Sequence, residues 1–323
     1  MNKRNFDYEA NHLQIKNTIH KLKASATEMQ LDLETEIEAV MIKLDELKKQ
    51  KYKNLTPWEK TLLSRHPDRP GSKDFIEHLC ENWVELHGDR LFGDDAAIIG
   101  GIGSLEDKPV TFIGHRKGKD TRDNIRFNFG MPHPEGYRKV QRLLLQAEKF
   151  KRPVITFIDT PGAYPGMAAE ERGQASAIAR TLMALTGLRT PIVSIVIGQG
   201  GSGGALALAV ADRTLMLSNA VFSVASPEAC ASIMWKSLDK VEEMANTMKI
   251  TAQDLLHLQI IDEIIEEPPG GAHLDPAKCY QGINSTVKKH LDEIVQLPVN
   301  ELLRIRQERL RNIGCFTSLL CTD

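Results

Sequence analysis

The stretch I-V-S-I-V-I-G-Q-G-G-S-G-G-A-L-A-L-A-V-A, from Ile192 to Ala211, passes from an apolar run through a glycine-rich turn into an Ala/Leu helix. Its first half is β-branched and uncharged, as expected of a strand covered on both faces. Five glycines between Gly198 and Gly204 remove every Cβ from the turn, so a ligand can touch bare backbone. The helix behind them aims its unpaired N–H groups and the positive end of its dipole at the turn. Gln199 and Ser202 are the only functional side chains of the loop. Neither is an acid, base or nucleophile of ordinary strength, so catalysis here must come from backbone donors.

Other readings compete. The stretch has membrane-spanning length, but its glycines, Gln199 and serines would leave an unwound backbone in lipid. Gly198-x-Gly200-x-x-Gly203 matches a dinucleotide fingerprint, a weak signal alone. The next strand, around Thr214 to Leu217, ends in Ser218 and Asn219 rather than in the acid that would hold a ribose. The glycines could also serve only the close packing of helix and strand.

Working outward, the unit strand, loop, helix recurs. Val154 to Ile158 is a strand, Asp159-Thr160-Pro161-Gly162-Ala163-Tyr164-Pro165-Gly166 a loop, and about Ala168 to Leu185 a helix; Val221 to Val224 followed by Ser226-Pro227-Glu228 begins another such unit. This repetition calls for parallel strands with helices packed outside. Upstream, a helix from Phe75 to His87 precedes two strands, Ala96 to Leu105 and Val110 to Lys117, joined as a hairpin at 106–109. A helix from Glu135 to Phe150 puts Tyr137, Val140, Leu143, Leu144, Ala147 and Phe150 on one face.

The first residues, about Phe6 to Leu55, are polar and helix-prone, with one apolar stripe through Ile15, Ile19 and Leu22 and another through Leu33, Ile37, Val40, Leu44 and Leu47. Single stripes suit a helical hairpin or partner-facing arm rather than an independent core. Thr56-Pro57-Trp58-Glu59 starts a helix, with Thr56 as N-cap and Glu59 closing a capping box. Breaks at Arg65 to Gly71 and at Pro268 to Gly271 divide the chain into a helical extension (1–70), an α/β core (71–270) and a C-terminal helical tail (271–323).

At 323 residues the chain can bury one sizeable core with accessory elements. Its 41 basic and 43 acidic residues give a net charge of −2, which points to neither nucleic acid nor a membrane surface as partner. The cysteines Cys80, Cys230, Cys279, Cys315 and Cys321 are scattered without metal-site spacing. They suit a reducing compartment, and no metal is expected. The N-terminus has neither signal nor transit character, so a cytoplasmic location is expected.

Asp159-Thr160-Pro161-Gly162 imitates the D-x-x-G switch element of GTPases, and Gly114-x-x-x-Gly118-Lys119-Asp120 imitates a P-loop. The second has three residues between its glycines and an Asp where magnesium needs Ser or Thr, so the GTPase reading fails. Asp159 is instead expected to cap the backbone of its own loop. Arg116, Lys117, Lys119, Arg122 and Arg126 form a basic cluster, either a solvated face or a phosphate or carboxylate contact. Gly130-Met131-Pro132 beside it suits a loop approaching a ligand or partner. No Ser/His/Asp arrangement is evident.

Read in order, Gly130-Met131-Pro132-x-Pro134-Glu135-Gly136-Tyr137-Arg138-Lys139, Phe157 to Gly166, Glu170-Glu171-Arg172-Gly173-Gln174, Gly198 to Leu206 and Ser226-Pro227-Glu228-x-Cys230-Ala231 resemble the α subunits of bacterial acetyl-CoA carboxylase carboxyltransferases. The likeness runs from the N-terminal helices to Gly271-Ala272-His273. It implies an α/β crotonase-like (ββα) superhelix with helical extensions at both ends, and an assembly of two α and two β chains. The reaction implied is transfer of a carboxyl group from biotin, held on a carrier protein loaded by biotin carboxylase, to acetyl-CoA. The product is malonyl-CoA, the first committed intermediate of fatty acid biosynthesis. The N–H groups of Gly203 and Gly204 would form the oxyanion hole for the biotin ureido oxygen, while the β chain polarises the thioester. Gly162, Ala163, Tyr164, Gly166, Gly200 and Gly201, with Arg116 and Lys119, are the candidates for holding substrate or carrier. Gln199 stands where some relatives have an acid, and Cys315 to Asp323 fits no family pattern. The alternative is a catalytically silent scaffold of the same fold that only binds a partner.

Overall fold

A computed structural model describes residues 15, 18, 19, 22, 23 and 34–314. The chain divides into two units, Met1–Leu55 and Thr56–Asp323. In the first unit, helix α1 (Glu34–Lys53) leaves Val40, Ile42 and Leu47 about half exposed and Ile37 and Leu44 partly covered. Leu33, the remaining early residues and the segment Cys315 to Asp323 lie outside the described residues.

The second unit opens with α2 (Pro57–Ser64), whose Thr56/Glu59 capping box forms as expected. The break at 65–71 lies within this unit, because Arg69 Nε donates to Ile197 O at 2.7 Å. There follow α3 (Ser72–Leu79), β1 (Glu81–Glu85), β2 (Ile98–Leu105), β3 (Lys108–His115), α4 (Thr121–Arg126), α5 (Pro134–Lys149) and β4 (Val154–Thr160). Next are α6 (Met167–Glu171), α7 (Gln174–Gly187), β5 (Ile192–Gly201), α8 (Ser202–Ala209), β6 (Arg213–Leu217), β7 (Val221–Ser223) and α9 (Pro227–Trp235). The chain continues through α10 (Val241–Thr247), α11 (Ala252–His257), β8 (Glu263–Ile265), α12 (Pro276–Val295) and α13 (Val299–Arg311).

The strands make one mixed sheet in the order β1-β2-β3-β4-β5-β6-β8, with β7 added to the far end of β5. β1, β2 and β3 pair antiparallel; β3 to β4, β4 to β5, β5 to β6, β5 to β7 and β6 to β8 pair parallel. Every residue of β4 is buried and β5 is nearly so, matching their β-branched sequences, uncharged apart from Asp159 near the end of β4. The hairpin turn is the two residues Glu106 and Asp107, both at positive φ (48° and 62°), as the strand twist of a tight hairpin demands.

Three local expectations are revised. The helix expected through His87 stops at Leu79: Cys80 is extended (φ −114°, ψ 130°), and Glu81–Glu85 pairs with β2 instead. The helix expected from Ala168 to Leu185 is two helices, interrupted where Gly173 takes φ 81°. On α5, Tyr137, Val140, Leu143, Leu144 and Ala147 are buried, but Phe150 is exposed because it lies past the helix end as its C-cap.

The C-terminal helices pack onto this unit through Cys279, Ile283, Val287, Leu291, Ile294 and Leu302, all in the main hydrophobic core. Arg306, fully buried, pins α13 to the sheet. Its guanidinium donates to Asp212 at 2.7 and 2.9 Å and to the carbonyls of Leu185, Leu188 and Thr190. Asp212 in turn accepts the Ile192 N–H at the start of β5. A buried charge tolerates such a place only when paired and hydrogen-bonded throughout.

Candidate functional site

The carboxyl end of β4 runs into the 161–166 loop, whereas β5 passes at Gly201 directly into α8, in place of the glycine turn expected from sequence. The loop and this junction meet at the start of α8, at the usual height for ligands in parallel sheets. A Cβ on Gly204 would lie 2.5 Å from Ala163 N, 2.6 Å from Gly162 C and 3.0 Å from Tyr137 Oη. A Cβ on Gly201 would collide with Pro161, one on Gly198 with the Asp159 carboxylate, and one on Gly200 would sit 2.7 Å from the Phe222 ring. Four of the five glycines are therefore required by packing, which corrects the expectation that all of them open the turn to a ligand. Gly203 is the exception: a Cβ there would meet nothing closer than Ile178 at 3.9 Å. Gly203 and Gly204 occupy the first turn of α8, where N–H groups lack acceptors within the helix.

The neighbouring loop is held from several sides. Thr160 Oγ1 accepts the Gly162 N–H at 3.0 Å and donates to Gly162 O at 2.8 Å. Tyr164 N donates to Pro132 O at 3.0 Å, and Gln174 Nε2 donates to both Pro132 O and Tyr164 O at 2.9 Å. The Tyr164 ring stacks on His133 with centroids 4.2 Å apart, and Gly166 packs against the same ring. Gly162, Ala163, Tyr164 and Gly166 are thus brought beside Gly201 and Gly204, and the 130–132 segment braces this loop.

Asp159 does not cap its own loop; Thr160 does. The strand pairing shifts between Ile158 and Thr160, an irregularity that sets Asp159 alone against residues 197–199 of β5. The Asp159 carboxylate bridges the gap, accepting Gln199 N–H at 2.9 Å and Lys117 Nζ at 2.5 Å. Behind it His115 is fully buried, its ring close to the main chain of Gly204 and Phe157. Burial lowers the His115 pKa to about 4, against the opposing pull of Asp159, so the ring is neutral.

The basic cluster does not converge on one ligand. Lys117 is committed to Asp159, and Lys119 pairs with Asp74 at 3.0 Å. Arg116 covers the Phe127 ring at 4.3 Å, and Arg126 approaches the same ring at 5.4 Å. Among the described residues no group of three or more His, Cys, Asp or Glu side chains is arranged to hold a metal ion. No helix among them is long and apolar enough to cross a membrane.

A mixed sheet carrying a glycine loop and helix N-terminus at its strand ends defines the class, a crotonase-like α/β fold of the carboxyltransferase type. Solved structures agree on the fold. Transcarboxylase 12S, with methylmalonyl-coenzyme A bound, aligns with TM-score 0.57 at 17% identity over 70% of this chain and 42% of its own. A Pseudomonas malonate decarboxylase hetero-tetramer in complex with coenzyme A aligns with TM-score 0.58 at 17% identity over 76% and 97%.

The family follows from sequence. The family model described as acetyl co-enzyme A carboxylase carboxyltransferase-like matches residues 5–314. Acetyl-coenzyme A carboxylase carboxyl transferase subunit alpha of Syntrophomonas wolfei subsp. wolfei is 60% identical over 98% of this chain and 99% of that protein. The protein of the same name from Carboxydothermus hydrogenoformans is 52% identical over 96% of each. The chain belongs to the family of acetyl-CoA carboxylase carboxyltransferase α subunits.

Proposed function

We propose that this chain is the α half of the carboxyltransferase that moves a carboxyl group from biotin to acetyl-CoA, making malonyl-CoA for fatty acid synthesis in the cytoplasm. Biotin, carried on a separate carrier protein that biotin carboxylase loads, supplies the activated carboxyl group. Two α chains act with two β chains, and the β chain polarises the acetyl-CoA thioester.

The observation that carries this reading is the contrast at the glycine loop. A Cβ on Gly203 would meet only Ile178, at an ordinary contact distance of 3.9 Å, whereas one on Gly198, Gly200, Gly201 or Gly204 would clash. Such a surface fits a flat ureido group laid against the backbone. The N–H groups of Gly203 and Gly204 donate to the ureido oxygen as it gains negative charge, aided by the α8 dipole. Removing a preorganised donor of this kind costs roughly 3–4 kcal/mol of transition-state stabilisation. Thr160 and Gln174 keep the adjoining 160–166 loop in place, so Gly162, Ala163, Tyr164 and Gly166 form the wall beside the bound ring. Gly200 and Gly201 contribute by letting that wall approach. Arg116 and Lys119 serve the acidic carrier or the coenzyme A phosphates from the rim.

The test is biocytin-dependent decarboxylation of malonyl-CoA by this chain alone, by a β chain alone, and by the two mixed. Turnover confined to the mixture is expected, since one chain carries one of two oxyanion holes. A mixture that assembles but shows no turnover would favour the silent scaffold.

A further inference from the structure

Ser202 stands in the loop against the backbone's own preference. It takes φ 54°, in the left-handed region, where a side chain is strained and glycine is not. Its neighbours on both sides, Gly200, Gly201, Gly203 and Gly204, are all glycine. A serine kept where glycine would fit more easily asks for a role for its side chain.

Helix capping does not supply that role. Thr56, Asp120, Ser226, Thr251 and Asp275 each precede a helix and accept an N–H from within its first turn. Ser202 lies one residue past the N-cap position, held by Gly201, and its side chain makes no hydrogen bond among the described residues. Its side chain is exposed, and its Cβ lies 3.8 Å from where a Cβ on Gly162 would be. The side chain thus leaves the backbone beside Gly162 of the neighbouring loop, one residue before Gly203.

Gly200-x-Ser202-x-Gly204 on a strand, turn and helix is also the arrangement that projects a nucleophilic serine. A nucleophile needs a base within hydrogen-bond reach. Among the described residues no His, Asp or Glu side chain hydrogen-bonds Ser202, and His115 is sealed in the interior. A donor is what the geometry leaves.

We propose that Ser202 is a further catalytic residue, whose hydroxyl donates a hydrogen bond to the N-carboxylated ureido group held by Gly203 and Gly204. This rests on the oxyanion reading of the loop. The side chain adds a rotatable donor beside two fixed ones, serving the oxygen that gains charge as the carboxyl leaves.

The experiment compares Ser202→Ala and Ser202→Gly, each assembled with the β chain. It measures kcat and KM for biocytin-dependent malonyl-CoA decarboxylation, together with Tm. Alanine keeps the backbone strain and loses the hydroxyl; glycine loses both. The two variants should lose kcat equally, by about ten- to a hundredfold, with little change in the KM for malonyl-CoA. Ser202→Gly should be at least as thermostable as the parent. Parental kcat in Ser202→Gly overturns the assignment, whatever alanine does, because it returns the serine to a backbone role. A parent assembly with no biocytin-dependent turnover overturns the loop reading, and the proposal with it.

Discussion

The Asp159 carboxylate accepts the main-chain N–H of Gln199 at 2.9 Å, joining β4 to β5 one residue before the glycine pair Gly200-Gly201. The same oxygen takes Lys117 at 2.5 Å, so the contact is charge-assisted and mostly buried. This pair sets where β5 ends and where the turn into α8 begins.

Replacing Asp159 therefore separates two contributions. Asp159→Asn keeps an oxygen for Gln199 and loses the charge pairing, whereas Asp159→Ala leaves a buried N–H unsatisfied at a cost of about 1–3 kcal/mol. Thermal denaturation should rank the parent above Asn and Asn above Ala, and kcat of the assembled enzyme should follow the same order. Equal stability of all three would show that the irregularity needs no carboxylate.

Arg306 offers a test of how α13 is attached. It is paired with Asp212 and three carbonyls in a fully buried setting. Arg306→Met should destabilise the protein by about 3–5 kcal/mol, because Asp212 is left buried without its partner. Urea unfolding measures this. A double change of Arg306→Met with Asp212→Asn should recover part of the loss.

His115 predicts an acid limb. Burial lowers its folded pKa to about 4, below the roughly 6.5 of an unfolded histidine. The unfolded chain then binds the proton first, so stability is full above about pH 6.5 and falls as pH drops toward 4. In His115→Leu the slope of unfolding free energy against pH should be smaller by up to about one proton across that window. Parallel profiles for parent and variant would contradict the assignment.

The sequence made the central elements legible where one residue pattern settles one structure. β4 up to Ile158 and β5 are uncharged β-branched runs, the 106–107 turn sits between two strands, and Thr56 with Glu59 spells a capping box. What escaped depended on distant partners. Glu81–Glu85 has no strong strand signal of its own and is a strand because β2 is there to pair with it. The partner of Asp159 lies forty residues away. The glycines all look alike in sequence, yet a Cβ on Gly201 would strike Pro161, one on Gly204 the 162–163 backbone, and one on Gly203 would only touch Ile178. Only the fold distinguishes a glycine whose Cβ position is blocked from one where a side chain would fit. The φ of Ser202 is likewise invisible in the letters.

Gly203 gives the most direct test of the oxyanion loop. A Cβ there meets no atom nearer than 3.9 Å, and the residue is not at positive φ, so Gly203→Val should fold and join the β chain. Its side chain would enter the place proposed for the ureido group and displace that group from the N–H groups of Gly203 and Gly204. The measurement is kcat for biocytin-dependent decarboxylation of malonyl-CoA by the assembled variant. The account predicts a loss of about a hundredfold or more, with the KM for malonyl-CoA nearly unchanged because that substrate binds elsewhere. An assembled Gly203→Val enzyme that turns over at the parental rate would contradict it and leave the glycines to packing alone.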